Sequence, residues 1–344
     1  MVSDRTLRCG VVGGGRMGRH HARLYAQSEG VELVGVADQD LARAAGLCEE
    51  QGGKAFASVV ELLDAGIDCL TVSTPTVTHR AIVEQALARR VHCLVEKPLA
   101  SSESEARAIA DAARASGCVL QVGHVVRYDP VMRAVRAVPG VTPRFVEMDR
   151  ISPMTFRSVD VGVVLDMMIH DLDLLVMLFG GEPEEIHANA VCVLGEAEDV
   201  CNARLVFPRG ADGIRPVANV TASRLGLKTE RKLRIISEDA YISADFVERK
   251  GRVVRKTANQ QQLDEVRAQL AAGADLSGVD YMSLVADEPL HVVPGEPLRL
   301  QLDDFLRAVR TGTRPEVDAE AGFASVRTAE RIVASAREAG ARMV

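Results

Sequence analysis

Cys9-Gly10-Val11-Val12-Gly13-Gly14-Gly15-Arg16-Met17-Gly18 joins a short apolar run to a G-x-G-x-x-G spacing, and Met17–Gln27 continues at helical period. Strand, glycine turn and helix in that order predict a phosphate cradle. Gly13 permits the tight turn, Gly15 lets a pyrophosphate approach the backbone, and Gly18 lets the helix pack closely on the strand. Free N–H groups and the positive dipole end of the helix then face the phosphates. Twenty positions past Gly18, at the end of a second apolar run, stands Asp38. A carboxylate there accepts hydrogen bonds from an adenosine ribose and repels a 2′-phosphate. Gln39 and Asp40 beside it offer no compensating arginine. The stretch reads as a dinucleotide site that takes NAD in preference to NADP.

Outward from this stretch, candidate strands Cys9–Val12, Glu32–Asp38, Asp68–Ser73, Val91–Glu96 and Val119–Val122 alternate with candidate helices Met17–Gln27, Leu41–Gln51, Val59–Leu63, His79–Ala88 and Glu103–Ala115. The strands are nearly continuous in apolar residues, so both faces are covered, as in a parallel sheet between helix layers. Residues 1–125 therefore predict an α/β dinucleotide-binding domain with a Rossmann-type, doubly wound parallel sheet. Past Pro143 the pattern changes. Strand-like runs Arg144–Ile151, Glu185–Leu194, Asn202–Phe207, Val217–Leu225 and Arg231–Ile236 follow one another through short Gly, Pro and Asp turns, with one helix between the first two. Residues 126–344 are thus expected to form an α+β domain around a large, open, mainly antiparallel sheet. Gln260–Ala272 reads as a polar, solvated helical arm, and Leu298–Thr311 and Ala319–Ala339 as closing helices.

Composition narrows the classes of function. The 344 residues carry 41 basic and 48 acidic side chains, a net charge of −7, which argues against a nucleic-acid or membrane-surface partner. With 8 Phe, 4 Tyr and no Trp there is little material for a base-stacking surface. The 7 cysteines are scattered without a C-x-x-C pair, so neither a disulfide framework nor a zinc knuckle is expected. A strand-like run within a few residues of Met1 leaves no room for a signal-peptide core. The longest apolar run, Val161–Leu165 with Met167–Ile169, is broken by Asp166 and His170 and cannot span a bilayer. A cytoplasmic enzyme is the expectation.

Two stretches carry chemistry. Val91–Glu96 runs into Glu96-Lys97-Pro98, which puts Lys97 at the carboxyl end of a parallel strand, where ligands of such sheets collect. The chain has only 6 lysines against 35 arginines, so a lysine at this place points to a need for a compact ammonium. Further on, Asp166, His170 and Asp173 fall at i, i+4 and i+7 and share one face of a helix that is otherwise apolar almost all round. One narrow ionisable stripe on such a helix lines a cavity. No further His or Cys falls at ligand spacing, so no metal is expected.

Gly13-x-Gly15-x-x-Gly18, Thr74-Pro75 followed by His79, Glu96-Lys97-Pro98, the run from Gly123 to Arg127-Tyr128-x-Pro130, and Asp166-x-x-x-His170-Asp171-x-Asp173 together resemble the Gfo/Idh/MocA family of sugar and polyol dehydrogenases, in the family's order and over nearly the whole chain. The resemblance implies a hydride-transfer site in which Lys97 stands near the nicotinamide and the reacting hydroxyl, His170 is the general base, and Asp166 orients substrate or base. It implies that the Arg16-Met17 backbone carries the pyrophosphate and that Ser73, Thr74, Pro75, His79, Glu96 and Gln121 contact the cofactor. Val164–Asp173 looks most like the nucleotide-sugar branch, the UDP-N-acetylglucosamine 3-dehydrogenases. Arg127, Arg150 and Arg157 are the expected substrate cations there, because a diphosphate needs fixed cations, and Asp173 is a further expected substrate contact. An inositol or free-sugar dehydrogenase and a non-catalytic NAD-binding regulator are the alternatives. His20-His21 reads as a surface or packing feature. A homodimer or homotetramer through the second sheet is also implied, its open face being otherwise an unusual apolar patch.

Overall fold

Leu7–Val12 (β1), Val31–Ala37 (β2), Lys54–Phe56 (β3), Cys69–Val72 (β4), His92–Val95 (β5) and Leu120–Val122 (β6) pair in parallel in the order β3-β2-β1-β4-β5-β6. The computed structural model in which they are seen describes residues 5–155, 161–194, 196–258, 260–273 and 281–342. The interleaved helices are Arg16–Ala26 (α1), Leu41–Gln51 (α2), Val59–Asp64 (α3), His79–Ala88 (α4) and Glu103–Ser116 (α5). Central strands β1, β4 and β5 are buried along nearly their whole length, as strands covered on both faces must be. The strand order reverses between β1 and β4, and at such a switch point the loops at the carboxyl ends splay apart to leave a crevice. The glycine loop after β1 and the Ser73 loop after β4 form its lips.

After a short helix Pro130–Arg136 (α6), the second sheet is built from Phe145–Ile151 (β7), Glu185–Val191 (β8), Val200–Val206 (β9), Val217–Ser223 (β10), Glu230–Ile236 (β11), Ala240–Asp245 (β12), Lys250–Lys256 (β13) and Val285–Pro289 (β14). Its order is β14-β13-β12-β11-β7-β10-β9-β8. One pairing departs from the antiparallel expectation: β7 and β10 run parallel. A parallel pair requires a crossover. Here the crossover carries Ile169–Phe179 (α7), entered through a π-helical turn at Val164–Met168, and so lays the Asp166–Asp173 stretch on the sheet. The covered face buries Val146, Met148, Ala203, Val220, Leu233 and Ile235 against α7. The open face carries polar pairs, Arg234 to Glu147 at 3.0 Å and Asn202 to Thr221 at 2.9 Å. Across one end of that face Val206, Val217, Phe145, Ile236, Tyr241 and Val254 stand opposite one another in adjacent strands, an apolar row beside the polar pairs.

Pro297–Thr311 (α9) and Ala319–Glu338 (α10) return to the first sheet. Leu302, Phe305 and Leu306 of α9 share a core with Cys9, Leu24 and Tyr25, and Phe323 and Val326 of α10 share one with Leu99 and Val122. The polar helix Gln260–Ala271 (α8) lies between β13 and β14 in sequence. No helix among the described residues is long and apolar enough to cross a membrane.

Candidate functional site

The glycine loop is built by exclusion. Gly13 has φ +93°, and a Cβ there would lie 2.6 Å from the Ser73 carbonyl oxygen; a Cβ on Gly18 would lie 1.8 Å from the Gly13 oxygen. Both positions therefore require glycine. Gly15 is different: a Cβ there would meet nothing, because the loop opens to the crevice. Gly15 is also the N-cap of α1 and supplies no side-chain acceptor, so the N–H groups of the first turn, Arg16 and Met17 among them, keep no partner within the helix. Those features fit a pyrophosphate. Asp38 stands at the end of β2. Its Oδ2 accepts the Gly14 N–H at 2.7 Å and its Oδ1 the Asp40 N–H at 2.8 Å, which leaves further lone pairs for a ribose. The compensating arginine that the adjacent residues lack is supplied by α2: Arg43 Nη1 lies 3.4 Å from Asp38 Oδ1.

The loops between the two ends are held by side chains expected to contact the cofactor. Ser73 Oγ donates toward the carbonyls of Val12 and Gly13 at 3.1 and 2.9 Å, and Thr74 Oγ1 bonds Thr78 Oγ1 at 2.7 Å, just before the turn that starts at Pro75. His79 is buried and ties two loops together, with Nε2 3.0 Å from the Thr74 oxygen and Nδ1 3.1 Å from the Pro98 oxygen. A neutral ring donates to one of these carbonyls at a time, and burial lowers its basicity. Its nitrogens are thus committed within the protein and not presented to a cofactor. Gln121 likewise turns inward: fully buried, it donates from Nε2 to the Gln301 oxygen at 2.8 Å. Glu96 is met from below by His21, Nε2 to Oε1 2.8 Å, so the second histidine of His20-His21 is a buried support.

At the far end Lys97 follows β5 and donates from Nζ to the Asp166 carbonyl at 2.6 Å and to Asp166 Oδ1 at 3.2 Å. The Lys97–Pro98 peptide is cis. One helical turn on from Asp166, the buried Nδ1 of His170 has no hydrogen-bond partner among the described residues. Burial, then the charges of Lys97, Arg150, His124 and Arg231, hold its basicity well below that of an ordinary imidazole. The ring of His124 stands edge-on to it at 6.2 Å. His124 is wholly buried, and neither nitrogen has a partner among the described residues. Sequence reasoning did not single it out, although its place two residues beyond β6, level with Lys97 beyond β5, was a usable signal. No group of three or more His, Cys, Asp or Glu among the described residues is placed to hold a metal ion.

The expected substrate cations are not free. Arg127 makes a buried bidentate pair with Asp173, 2.7 Å on both arms, and also donates to the Glu316 oxygen at 2.9 Å. Arg150 makes a second with Asp171 at 2.8 and 2.6 Å. Each carboxylate satisfies its guanidinium, so Arg127, Asp173 and Arg150 clamp α7 to its neighbours instead of facing a ligand. The single ionisable face expected for Asp166, His170 and Asp173 is thereby split, with Asp173 turned inward. Arg157 lies outside the described residues.

Residues 7–124 match the family model described as an oxidoreductase family with an NAD-binding Rossmann fold, and residues 141–243 match the GFO/IDH/MocA C-terminal domain. A UDP-N-acetylglucosamine 3-dehydrogenase of Acidithiobacillus ferrooxidans is 34% identical over 303 residues, 88% of each chain. A solved structure of that dehydrogenase superposes with a TM-score of 0.84 at 32% identity, covering 96% of this chain and 98% of the other. A scyllo-inositol 2-dehydrogenase (NAD(+)) of Bacillus subtilis is 32% identical over 190 residues, 52% of this chain and 56% of that one. With both domain models matched in order and similarity running through both sheets, the chain belongs to the Gfo/Idh/MocA family of oxidoreductases.

Proposed function

We propose that this protein is an NAD-dependent dehydrogenase that oxidises a secondary hydroxyl of a sugar, its preferred substrate being the 3-hydroxyl of UDP-N-acetylglucosamine and its product the 3-keto sugar. The observation that carries the reading is the grouping of Lys97, Asp166 and His170 at the carboxyl end of β5, on the sheet edge that also bears the glycine loop. The similarity to a UDP-N-acetylglucosamine 3-dehydrogenase along most of both chains supports the substrate.

NAD, when bound, supplies the hydride acceptor. The backbone of Gly15, Arg16 and Met17 holds its pyrophosphate, Asp38 takes a ribose hydroxyl, and the Ser73-Thr74-Pro75 loop with Glu96 borders the remainder. Asp38 favours NAD over NADP, with Arg43 moderating the repulsion of a 2′-phosphate. His170, held neutral at pH 7 by burial and surrounding cations, has a free ring nitrogen to take the hydroxyl proton. The Lys97 ammonium stabilises the oxygen as negative charge develops, and Asp166 fixes that ammonium from two oxygens. A homodimer or homotetramer through the open face of the second sheet belongs to the same proposal and is supported by the family resemblance.

The pairing-off of Arg127 and Arg150 favours a second reading, an uncharged cyclitol or hexose as substrate. Turnover of UDP-N-acetylglucosamine, myo-inositol and glucose with NAD or NADP, followed at the reduced-nicotinamide absorbance, decides between them. The expected result is the highest kcat/KM with the UDP-sugar and NAD. Turnover of inositol or glucose alone selects the second reading, and no turnover of any substrate leaves a non-catalytic cofactor-binding protein.

A further inference from the structure

Three arginines or lysines lower the basicity of His170: Lys97, Arg150 and Arg231. Two are neutralised, Lys97 by Asp166 and Arg150 by Asp171. Arg231 makes no side-chain hydrogen bond or ion pair among the described residues, so a cation near the candidate base is left without an anion. Its position follows from the sheet. Arg231 of β11 stands opposite Arg150 of β7 in antiparallel register. Directly opposed residues point to the same face, and Arg231 also alternates in phase with the buried Leu233 and Ile235. It therefore stands on the helix-covered face of the sheet, at the end where the apolar core gives out, and it is exposed to solvent there. Asp171 and Asp129 also feel its charge, but Asp171 already accepts both arms of Arg150, and Asp129, which caps α6 through the Val131 N–H at 2.8 Å, makes no ion pair with it.

Two guanidinium groups opposed across a strand pair repel, and the Arg150 charge is already matched. The remaining one has no bonded counter-ion among the described residues, and a ligand anion arriving from solvent can supply one. An uncharged hexose or cyclitol offers no anion, whereas a sugar nucleotide offers two phosphates next to the sugar, and a guanidinium fork fits phosphate oxygens bidentately. We infer that Arg231 is the specificity-determining cation of the substrate site, gripping a phosphate of a nucleoside diphosphate whose sugar reaches Lys97 and His170. This takes over the role that the sequence gave to Arg150, one strand away, and it rests on the nucleotide-sugar reading above.

The test compares wild type with Arg231→Gln and Arg231→Lys, using UDP and uridine as calorimetric probes and UDP-N-acetylglucosamine with NAD for kinetics. Because the Arg231 side chain makes no hydrogen bond or ion pair among the described residues, the melting temperature of both variants should match wild type; Arg231→Lys also keeps the charge should Arg231→Gln fold poorly. Arg231→Gln is expected to weaken UDP binding and raise the KM for the sugar nucleotide by about 10- to 100-fold, the weight of one charge-assisted bidentate contact, with NAD affinity unchanged. Arg231→Lys should fall between, since an ammonium lacks the fork. Uridine, without phosphates, should bind all three proteins alike. UDP bound equally by wild type and Arg231→Gln overturns the inference while leaving the nucleotide-sugar reading in place, and so does an equal loss of uridine binding. A wild type indifferent to UDP that oxidises myo-inositol overturns both.

Discussion

At the glycine loop the groups offered to a ligand are backbone N–H groups at the start of α1, and the side chains matter by their absence. At the other end of the crevice the groups are side-chain atoms drawn from β5, the loop after β6, α7 and β11. A backbone-built site depends on the chain path and tolerates changes in what surrounds it. A side-chain-built site depends on each rotamer and on the partners that hold it. The two ends should therefore respond to substitution in opposite currencies, binding at one and turnover at the other.

The sharpest separation comes from single replacements at each end. His170→Ala and Lys97→Ala should each lower kcat by about 10²- to 10⁴-fold while NAD affinity stays near wild type, since both groups act where charge and protons move. Gly18→Ala should do the reverse. Its Cβ would sit 1.8 Å from the Gly13 oxygen, so the loop must move and NAD binding should be lost first. Steady-state kinetics paired with NAD titration checks both, and an unchanged kcat in His170→Ala would leave that residue a structural part.

This asymmetry also explains what could be read from the chain. The cradle was legible because its residues lie within a few positions of one another and because glycine is required by local geometry at Gly13 and Gly18. Lys97, Asp166 and His170 were legible as motifs. What was not legible was where charges would go: Arg150 and Asp171 lie 21 positions apart, Arg127 and Asp173 lie 46 apart, and nothing in local spacing says that either pair closes. Arg43 was closer to reach, since Asp40 caps α2 by accepting the Arg43 N–H and so fixes Arg43 one turn into a helix beginning beside Asp38. In the second sheet β12, β13 and β14 were not legible, β13 because Lys250–Lys256 is charged at both ends, and in the first sheet neither was β3, whose three residues carry no period.

The buried pairs sharpen the comparison from the side of stability. Asp171→Ala would strand the Arg150 guanidinium in the core under α7, and breaking a buried pair from one side costs about 3–5 kcal/mol. Asp166→Ala breaks a pair whose carboxylate side chain is 40% exposed, so its stability cost should be within about 1 kcal/mol, while Lys97 loses its anchor and turnover falls. Chemical denaturation of the two variants checks the contrast. Equal loss of stability would mean that Asp166 holds the fold together as Asp171 does, and the division of labour along α7 would fail.

The smallest expected effect is a pH dependence of stability set by the same buried groups. Four histidines, His79, His92, His124 and His170, have their basicity lowered by burial. A histidine whose folded pKa lies below the unfolded value of about 6.5 binds fewer protons folded than unfolded in the acid range, so its contribution is present above that value and lost as pH falls toward the folded one. His92 shows the cost directly: its Nδ1 accepts the Val119 N–H at 2.9 Å, and protonation would turn that acceptor into a donor. Each such group contributes up to about 1.4 kcal/mol per pH unit. The melting temperature should be level above pH of about 7 and fall progressively below about 6.5. His124→Phe should flatten that fall by one group's share without lowering the plateau, because the ring it replaces has no hydrogen bond to lose among the described residues. A melting temperature that rises on acidification through this range would show that these rings are charged in the folded protein, and would rule out the neutral base required of His170.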